Sequence, residues 1–268
     1  MSDLTLLKLG CFVASGVWVA LILVLSVKYP YRKDRKILRK WFWDDLIMYT
    51  IVQSVVLGQA IGWLIKFIDN STNLSRLRLV SDWPIWLQLI FFIVLHDLFI
   101  YFFHMAMHKN AFLWRFHEAH HSIEDVDWVG GSRSHPFEIM INQTVEFGMI
   151  VLLGGAPAVA VLKAFVSSTW GIWIHNNINV RAGWLQYVIN GPEMHRWHHH
   201  PEHDHSNYAT KLAIWDWLFR TAFYPKDRVA DRYGLDDPSY PGGYFRQMLA
   251  FFRSQKPAQE RSRQPNAG

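Results

Sequence analysis

The chain has 268 residues, a formal net charge of +5 and a composition that is 51% hydrophobic, with 14 Trp and 18 Phe. Its single cysteine, Cys11, excludes disulfides within the chain and iron–sulfur ligation by this chain alone. The apolar residues are gathered into long runs instead of being dispersed along the chain. Runs of this kind indicate helices that cross a membrane.

The first apolar run covers Leu6 to Val27 and carries one charge, Lys8, near its start. The run is long enough to cross a hydrocarbon core of about 30 Å, and it is longer than the apolar region of a usual signal peptide. The next segment, Lys28 to Lys40, holds seven Lys or Arg against one Asp. Because cytoplasmic flanks carry such an excess, we predict a permanent span with an external N-terminus and a basic cytoplasmic loop. This basic loop indicates a membrane surface and not nucleic acid as its partner, for which the alternative is a topology signal and nothing more.

Three further apolar regions follow the basic loop. They cover Leu46 to Ile68, Pro84 to Phe103 and Phe137 to Trp173. The last region contains Gly154-Gly155-Ala156-Pro157 near its middle, which predicts a helical hairpin. The sequence therefore predicts an all-α integral membrane bundle of two N-terminal spans, a third span and a hairpin, with a cytoplasmic helical cap.

Histidines are concentrated in three blocks. The blocks are His104-x-x-x-His108, His117-x-x-His120-His121 and His195-x-x-His198-His199. Residues three or four apart share one face of a helix, so each block presents two or three imidazoles in one direction. Eight imidazoles are more than one tetrahedral metal can use, so the pattern predicts two metal ions. With the spans counted as above, all three blocks lie on the cytoplasmic side.

The blocks carry a family resemblance together with their flanking residues. Asp97 and Tyr101 precede the first block, and Asp204, Asn207 and Tyr208 follow the last. This ordered set, over roughly residues 90 to 220, resembles the fatty acid hydroxylase and sterol desaturase superfamily of integral-membrane di-iron enzymes. Any one block alone would be a weak signal.

The resemblance implies the metal ligands one residue at a time. The implied ligands in the blocks are His104, His108, His117, His120, His121, His195, His198 and His199. The resemblance adds His175, for which the alternative is a helix-end histidine that binds the last carbonyls. It also adds His135 before Pro136, for which the alternative is a loop histidine at a proline turn. Gly171 stands where the fatty-acid 2-hydroxylase branch has a further histidine, which favours the sterol-desaturase-like side of the family.

Three polar residues are candidates for positioning these ligands, namely Asp97, Tyr101 and Asn207. On a helical wheel Asp97 lies within about 20° of His104 and His108, but one to three turns deeper in the span. An ionisable group inside a span costs about 2.5–3.5 kcal/mol on insertion scales and usually has a partner. We therefore predict that Asp97 accepts the second ring N–H of a metal ligand on another helix. His96 points about 80° away from His104, and either pairs with another helix or lines a substrate tunnel.

The resemblance implies a di-iron oxygenase that hydroxylates or desaturates an unactivated C–H position of a sterol, fatty acyl chain or related lipid, using O2 and external electrons. The electrons are expected from a separate ferredoxin or small b-type cytochrome docked on the basic surface. We predict that residues 1–83 form N-terminal spans, 84–225 the catalytic domain and 226–268 a C-terminal segment, disordered from about residue 254. The active site is expected to face the cytoplasm, and a bacterial inner membrane is favoured over endoplasmic reticulum.

Two other classes of protein compete with this interpretation. His117-Glu118-Ala119-His120-His121 satisfies the H-E-x-x-H pattern of zinc metalloproteases, with Glu118 as the base and Asp236 or Asp237 as a further ligand. That hypothesis leaves His120 and the first and last blocks without a purpose. A metal transporter would carry several histidines inside its spans, where only His96 is expected.

Overall fold

A computed structural model of the chain describes residues 1–125 and 127–253. Within these ranges the chain is helical, with one isolated β-bridge between Pro30 and Ile178 and no strand. The α-helices are α1 (Asp3–Lys28), α2 (Phe42–Asp44), α3 (Gln53–Thr72), α4 (Ile85–Lys109), α5 (Ala111–His121), α6 (Pro136–Leu152), α7 (Pro157–Ile174), α8 (Pro192–His198), α9 (Ile214–Leu218) and α10 (Tyr244–Ala250). The predicted all-α class is confirmed, whereas the predicted disorder from about residue 254 lies outside the described residues.

Four helices are long and apolar enough to cross a membrane. They are Asp3–Lys28, Phe42–Thr72, Ile85–Lys109 and Pro157–Ile174. In the second of these, a π-helical segment, Asp45–Val52, joins α2 to α3. Large apolar side chains such as Phe12 and Val17 of α1 are exposed, as expected of a helix that faces lipid. The chain is therefore an integral membrane protein.

The predicted hairpin is present as α6 and α7. Gly154, in the turn between them, has a φ of +76°, a conformation that side chains disfavour. A Cβ at this position would lie 2.9 Å from the Cα of Arg78, so the close approach of the two segments also requires glycine. Pro157 begins α7 at a position where its missing N–H is not needed. With 17 residues, α6 is shorter than its partner and is not among the four candidate spans.

Helix α4 occupies the centre of the bundle and contacts α5, α6 and α7. A core of Val80, Phe92, Ile150 and Val159 holds α4, α6 and α7 together at the end remote from the histidines. On the histidine side, the segments after α1 and α7 are tied together, since Tyr31 N donates to Asn177 O over 2.9 Å. The bundle therefore fixes the ends of α4 and α7, which carry the histidines.

Candidate metal centre

The structure gathers nine of the ten predicted ligands into two adjacent buried groups. The first group contains His104, His108, His117, His121 and His198, and the second contains His120, His175, His195 and His199. Within each group, one possible ligand nitrogen from every residue lies within 4.8 Å of the others. The three sequence blocks therefore do not each make one site, because α5 contributes to both groups and so does α8.

Local sequence signals begin the two short helices that carry most of these residues. The side chain of Asn110 accepts from the backbone N of Phe112 and of Leu113, and so caps the start of α5. Pro192 occupies the first turn of α8. On the opposite side, a Cβ at Gly131 would lie 2.5 Å from Cγ of His175, so only glycine allows that ring to reach the centre.

Backbone carbonyls orient several of the imidazoles. Nδ1 of His104 donates to Tyr208 O over 2.7 Å, and Nδ1 of His198 donates to Ser206 O over 2.7 Å. In the second group, Nδ1 of His120 donates to Arg133 O over 3.0 Å, and Nδ1 of His175 donates to Gly171 O over 2.8 Å. A neutral imidazole with its proton on Nδ1 has a lone pair on Nε2. Each of these four rings therefore turns a lone pair toward its group.

The Nε2 lone pairs of His120 and His175 face each other, and no proton lies between them. The Nε2 atoms of His120 and His175 are 3.4 Å apart, although both rings hold their proton on Nδ1. The Nε2 of His175 is also 2.7 Å from Nε2 of His195 and 3.3 Å from Nε2 of His199. A metal–nitrogen bond of about 2.0–2.1 Å places neighbouring ligand nitrogens about 3.0–3.4 Å apart. The spacings of His175 from His120 and His199 fit a cation between the rings, and mutual hydrogen bonding cannot satisfy all of them.

The first group follows the same pattern. Nε2 of His104 lies 2.9 Å from Nε2 of His117, and Nε2 of His121 lies 3.1 Å from Nε2 of His198. Burial lowers the pKa of His120 to about 3 and holds the pKa of His121, His198 and His199 well below its usual value. The imidazoles are neutral at physiological pH and are available as ligands. The histidines present could therefore hold two metal ions.

Glu138 supplies a carboxylate to this centre, a contact that the sequence did not reveal. Its Oε2 lies 3.2 Å from Nδ1 of His117, and both side chains are buried. Burial raises the pKa of Glu138 to about 8, and a carboxyl group at this distance can orient a metal-bound histidine. The available signal was the His135-Pro136 helix start, which places residue 138 in the first turn of α6, facing the histidines.

Asp97 does not make the contact predicted for it. Its carboxylate accepts from Thr210 Oγ1 (2.8 Å), Lys211 N (2.9 Å), Leu212 N (2.8 Å) and Trp215 Nε1 (3.1 Å). No imidazole is among its hydrogen-bond partners in residues 1–125 and 127–253. The prediction of an Asp97–imidazole bond is wrong because the segment after the last block descends beside α4 and takes all of these hydrogen bonds.

Tyr101 and Asn207 brace the same descending segment. The hydroxyl of Tyr101 lies 2.8 Å from Thr221 Oγ1, and its ring packs edge-on against Tyr208. Asn207 has a φ of +54°, and its Nδ2 donates to Met194 O over 2.9 Å. Both residues thus support the backbone that includes the carbonyl acceptor of His104. Their predicted role in positioning ligands stays a prediction.

His135 is the one predicted ligand that lies outside both groups. Its Nδ1 accepts from the backbone N of Phe137 over 3.2 Å, and its ring packs against Phe116 and Phe251. The side chain therefore caps the start of α6. The prediction of ligation by His135 is wrong because the proline turn directs the ring back onto its own helix.

Glu118, the base of the competing metalloprotease hypothesis, also lies outside both groups, and so do Asp236 and Asp237. Asp236 instead pairs with Arg232 at 2.9 Å. His120, which the H-E-x-x-H pattern leaves unused, is a member of the second group. The geometry therefore does not build the predicted zinc site.

A cavity of about 530 Å³ opens onto the centre from the interior of the bundle. Histidines of both groups line one end, including His104, His117 and His175. Apolar residues line its walls, among them Ile100, Phe103, Ile139, Phe147 and Trp170. The cavity has the size and lining of a site for a small molecule or part of a lipid.

The fold and the site define an integral membrane protein with a buried, histidine-rich centre. Residues 89–221 match the family model of fatty acid hydroxylase, and the chain belongs to this family, within the fatty acid hydroxylase and sterol desaturase superfamily. The predicted family is confirmed. No solved structure matches the chain significantly.

Three relatives illustrate the range of the family. The ornithine lipid hydroxylase of Rhizobium tropici is 30% identical over 147 residues, which cover 54% of this chain and 44% of that protein. The alkylglycerol monooxygenase of Xenopus tropicalis is 30% identical over 174 residues, or 64% of this chain and 37% of that protein. A very-long-chain aldehyde decarbonylase of Oryza sativa subsp. indica is 28% identical, over 64% of this chain and 69% of that protein. The chain thus spans less than half the length of the first two.

Proposed function

We propose that this protein is a di-iron, O2-dependent oxygenase that hydroxylates or desaturates a C–H position of a membrane lipid. The observation that carries the proposal is the convergence of nine neutral imidazoles in two groups at the end of an apolar cavity. The named relatives, a lipid hydroxylase and a monooxygenase, support the same class of reaction. Ligation by imidazole suits iron, and two groups call for two ions.

Some residues of the chain would bind the metal ions, and others would position the substrate. The first group, with Glu138 beside His117, would hold one ion, and the second group would hold the other. Iron bound there would supply the reduction of O2 and the oxidation of a C–H bond. Walls such as Phe103 and Ile139 would exclude water and align an apolar chain beside the histidines.

Electrons must come from outside the chain, and we propose a ferredoxin or a small b-type cytochrome as the donor. The basic residues between α1 and α2, in the segment Lys28 to Lys40, provide a docking surface beside the centre. Arg39 in this segment pairs with Asp127 at 2.7 Å and with Asp45 at 2.7 Å, and Asp45 in turn pairs with Arg133, whose carbonyl accepts from His120. We further propose that the site faces the cytoplasm, in a bacterial inner membrane.

Metal analysis of protein purified without oxygen tests the proposal directly. We expect close to two irons per chain, and we expect His120→Ala to lower that number. Reduced protein supplied with O2, a donor and membrane lipid should then yield lipid that has gained one oxygen atom or lost two hydrogens. One zinc per chain that is indifferent to His120→Ala would contradict the proposal and favour the metalloprotease.

A further inference from the structure

A second cluster of polar residues lies at the other end of the cavity. His96 on α4, Glu146 on α6 and Ser167 on α7 all line it. Each lies eight residues along its helix from a residue at the metal centre, namely His104, Glu138 and His175. Eight residues of helix correspond to about 12 Å, so three helices place the cluster at the same depth below the histidines.

Most of the charge in this cluster is satisfied internally. Lys163 donates to Glu146, to Ser167 Oγ over 3.0 Å and to Nδ1 of His96 over 3.1 Å. An ammonium has three donors, and all three are used. Nε2 of His96 then donates to Asn142 Oδ1 over 2.9 Å. The donors of Lys163 and both ring nitrogens of His96 are therefore all hydrogen-bonded, so this ion pair needs no further ligand.

Lys211 differs from Lys163 in this respect. Its side chain lines the cavity and is 94% buried, and its backbone N is fixed by Asp97. Within the part of the chain that the structure describes, its ammonium makes no hydrogen bond or salt bridge. Glu146, the nearby carboxylate on the cavity wall, is already paired with Lys163. A buried ammonium without a hydrogen-bond acceptor is costly, and an intramembrane one usually marks a functional contact.

We propose that Lys211 binds an anionic oxygen group of the lipid substrate, a carboxylate or a phosphate, inside the cavity. This inference rests on the proposed function and adds the substrate class to it. Asp97 lies seven residues, or about 10 Å, from His104 along α4, and it anchors Lys211 at that depth. The oxidised carbon would then lie within about 10 Å of the anionic group, so Lys211 sets the position of attack.

Binding measurements test this site without turnover. In lipid nanodiscs we would measure the affinity for decanoate, decanol and decane, which share one chain and differ at one end. We expect decanoate to bind on the order of tenfold more tightly than decane, as for a charge-assisted hydrogen bond. Lys211→Met should abolish that preference while retaining bound metal, and Lys211→Arg should keep most of it. Lys66→Met, which removes an exposed lysine of α3, should change nothing.

The outcomes separate this inference from the proposed function. Equal affinity for decanoate and decane, or a preference that survives in Lys211→Met, would overturn the role of Lys211 even if lipid is oxidised. Tight binding of acetate alone would indicate a free-anion site and would equally overturn a lipid substrate there. A decanoate preference that depends on Lys211, in a protein that oxidises no lipid, would keep this site and refute the oxygenase.

Discussion

The two ends of the cavity bury polar groups in opposite ways. At the histidine end, neutral rings such as His120 and His175 turn lone pairs toward one another, so the unmet need is for positive charge. At the deep end the ammonium of Lys163 uses all of its donors and that of Lys211 makes no hydrogen bond in the described residues, so the missing group is a hydrogen-bond acceptor. A ligand site is thus revealed by what the protein leaves unsatisfied, not by how polar the cluster is.

The strongest test of this contrast compares two histidines that the sequence treats alike. We expect His175→Ala to lose about half of the bound iron and at least about 100-fold in turnover, because it removes an imidazole of the second group. We expect His135→Ala to keep the metal, because that ring caps α6. Metal analysis and turnover of the two variants would decide. Loss of iron from His135→Ala would show that the ring moves to the centre on metal binding.

The next effect concerns Glu138, which lies against His117. Glu138→Gln should weaken iron retention by about 10- to 100-fold, the usual effect of removing a group that orients a metal-bound histidine. Competition with a chelator measures the change. Glu118→Gln is the matched control, because Glu118 belongs to neither histidine group. If the two variants retained iron equally, Glu138 would have no part in positioning His117.

Asp97→Asn should act on stability more than on metal. The amide cannot accept all four hydrogen bonds that the carboxylate receives from the segment 210–215, so we expect a loss of about 1–3 kcal/mol. Denaturant unfolding in detergent would measure it, with the exposed Asp82→Asn as control. Loss of iron at unchanged stability would instead support the predicted contact between Asp97 and an imidazole.

The spans and most histidines of the two groups followed from the sequence because they depend on local patterns. Apolar runs define α1 and α4, and the glycine-proline break defines the turn after α6. Histidines three and four residues apart must share a helix face whatever the tertiary fold. His175 lies outside the three blocks, and only the family resemblance identified it as a candidate.

What the sequence did not yield depends on contacts between distant segments. The wheel position of Asp97 was correct, but its partner lies 113 residues away in the descending segment. Glu138 and Arg133 meet their histidines across the turn after α5, where spacing carries no signal. The pairing of Lys163 with Glu146 likewise depends on how α6 packs against α7. This pairing leaves the ammonium of Lys211 without an ion pair in the described residues.

The smallest effect is expected at a third cluster, where His200, Glu202 and His203 could also approach a metal. Both rings have other contacts, since Nδ1 of His200 accepts from Glu202 N over 3.2 Å and His203 stacks on Phe223. Glu202 is exposed, so water competes for any ion bound there. We therefore expect His203→Ala to leave the iron content at two per chain. A drop from three ions to two would show that a cluster with an exposed carboxylate binds metal as firmly as the fully buried groups, and burial would then no longer distinguish the metal centre.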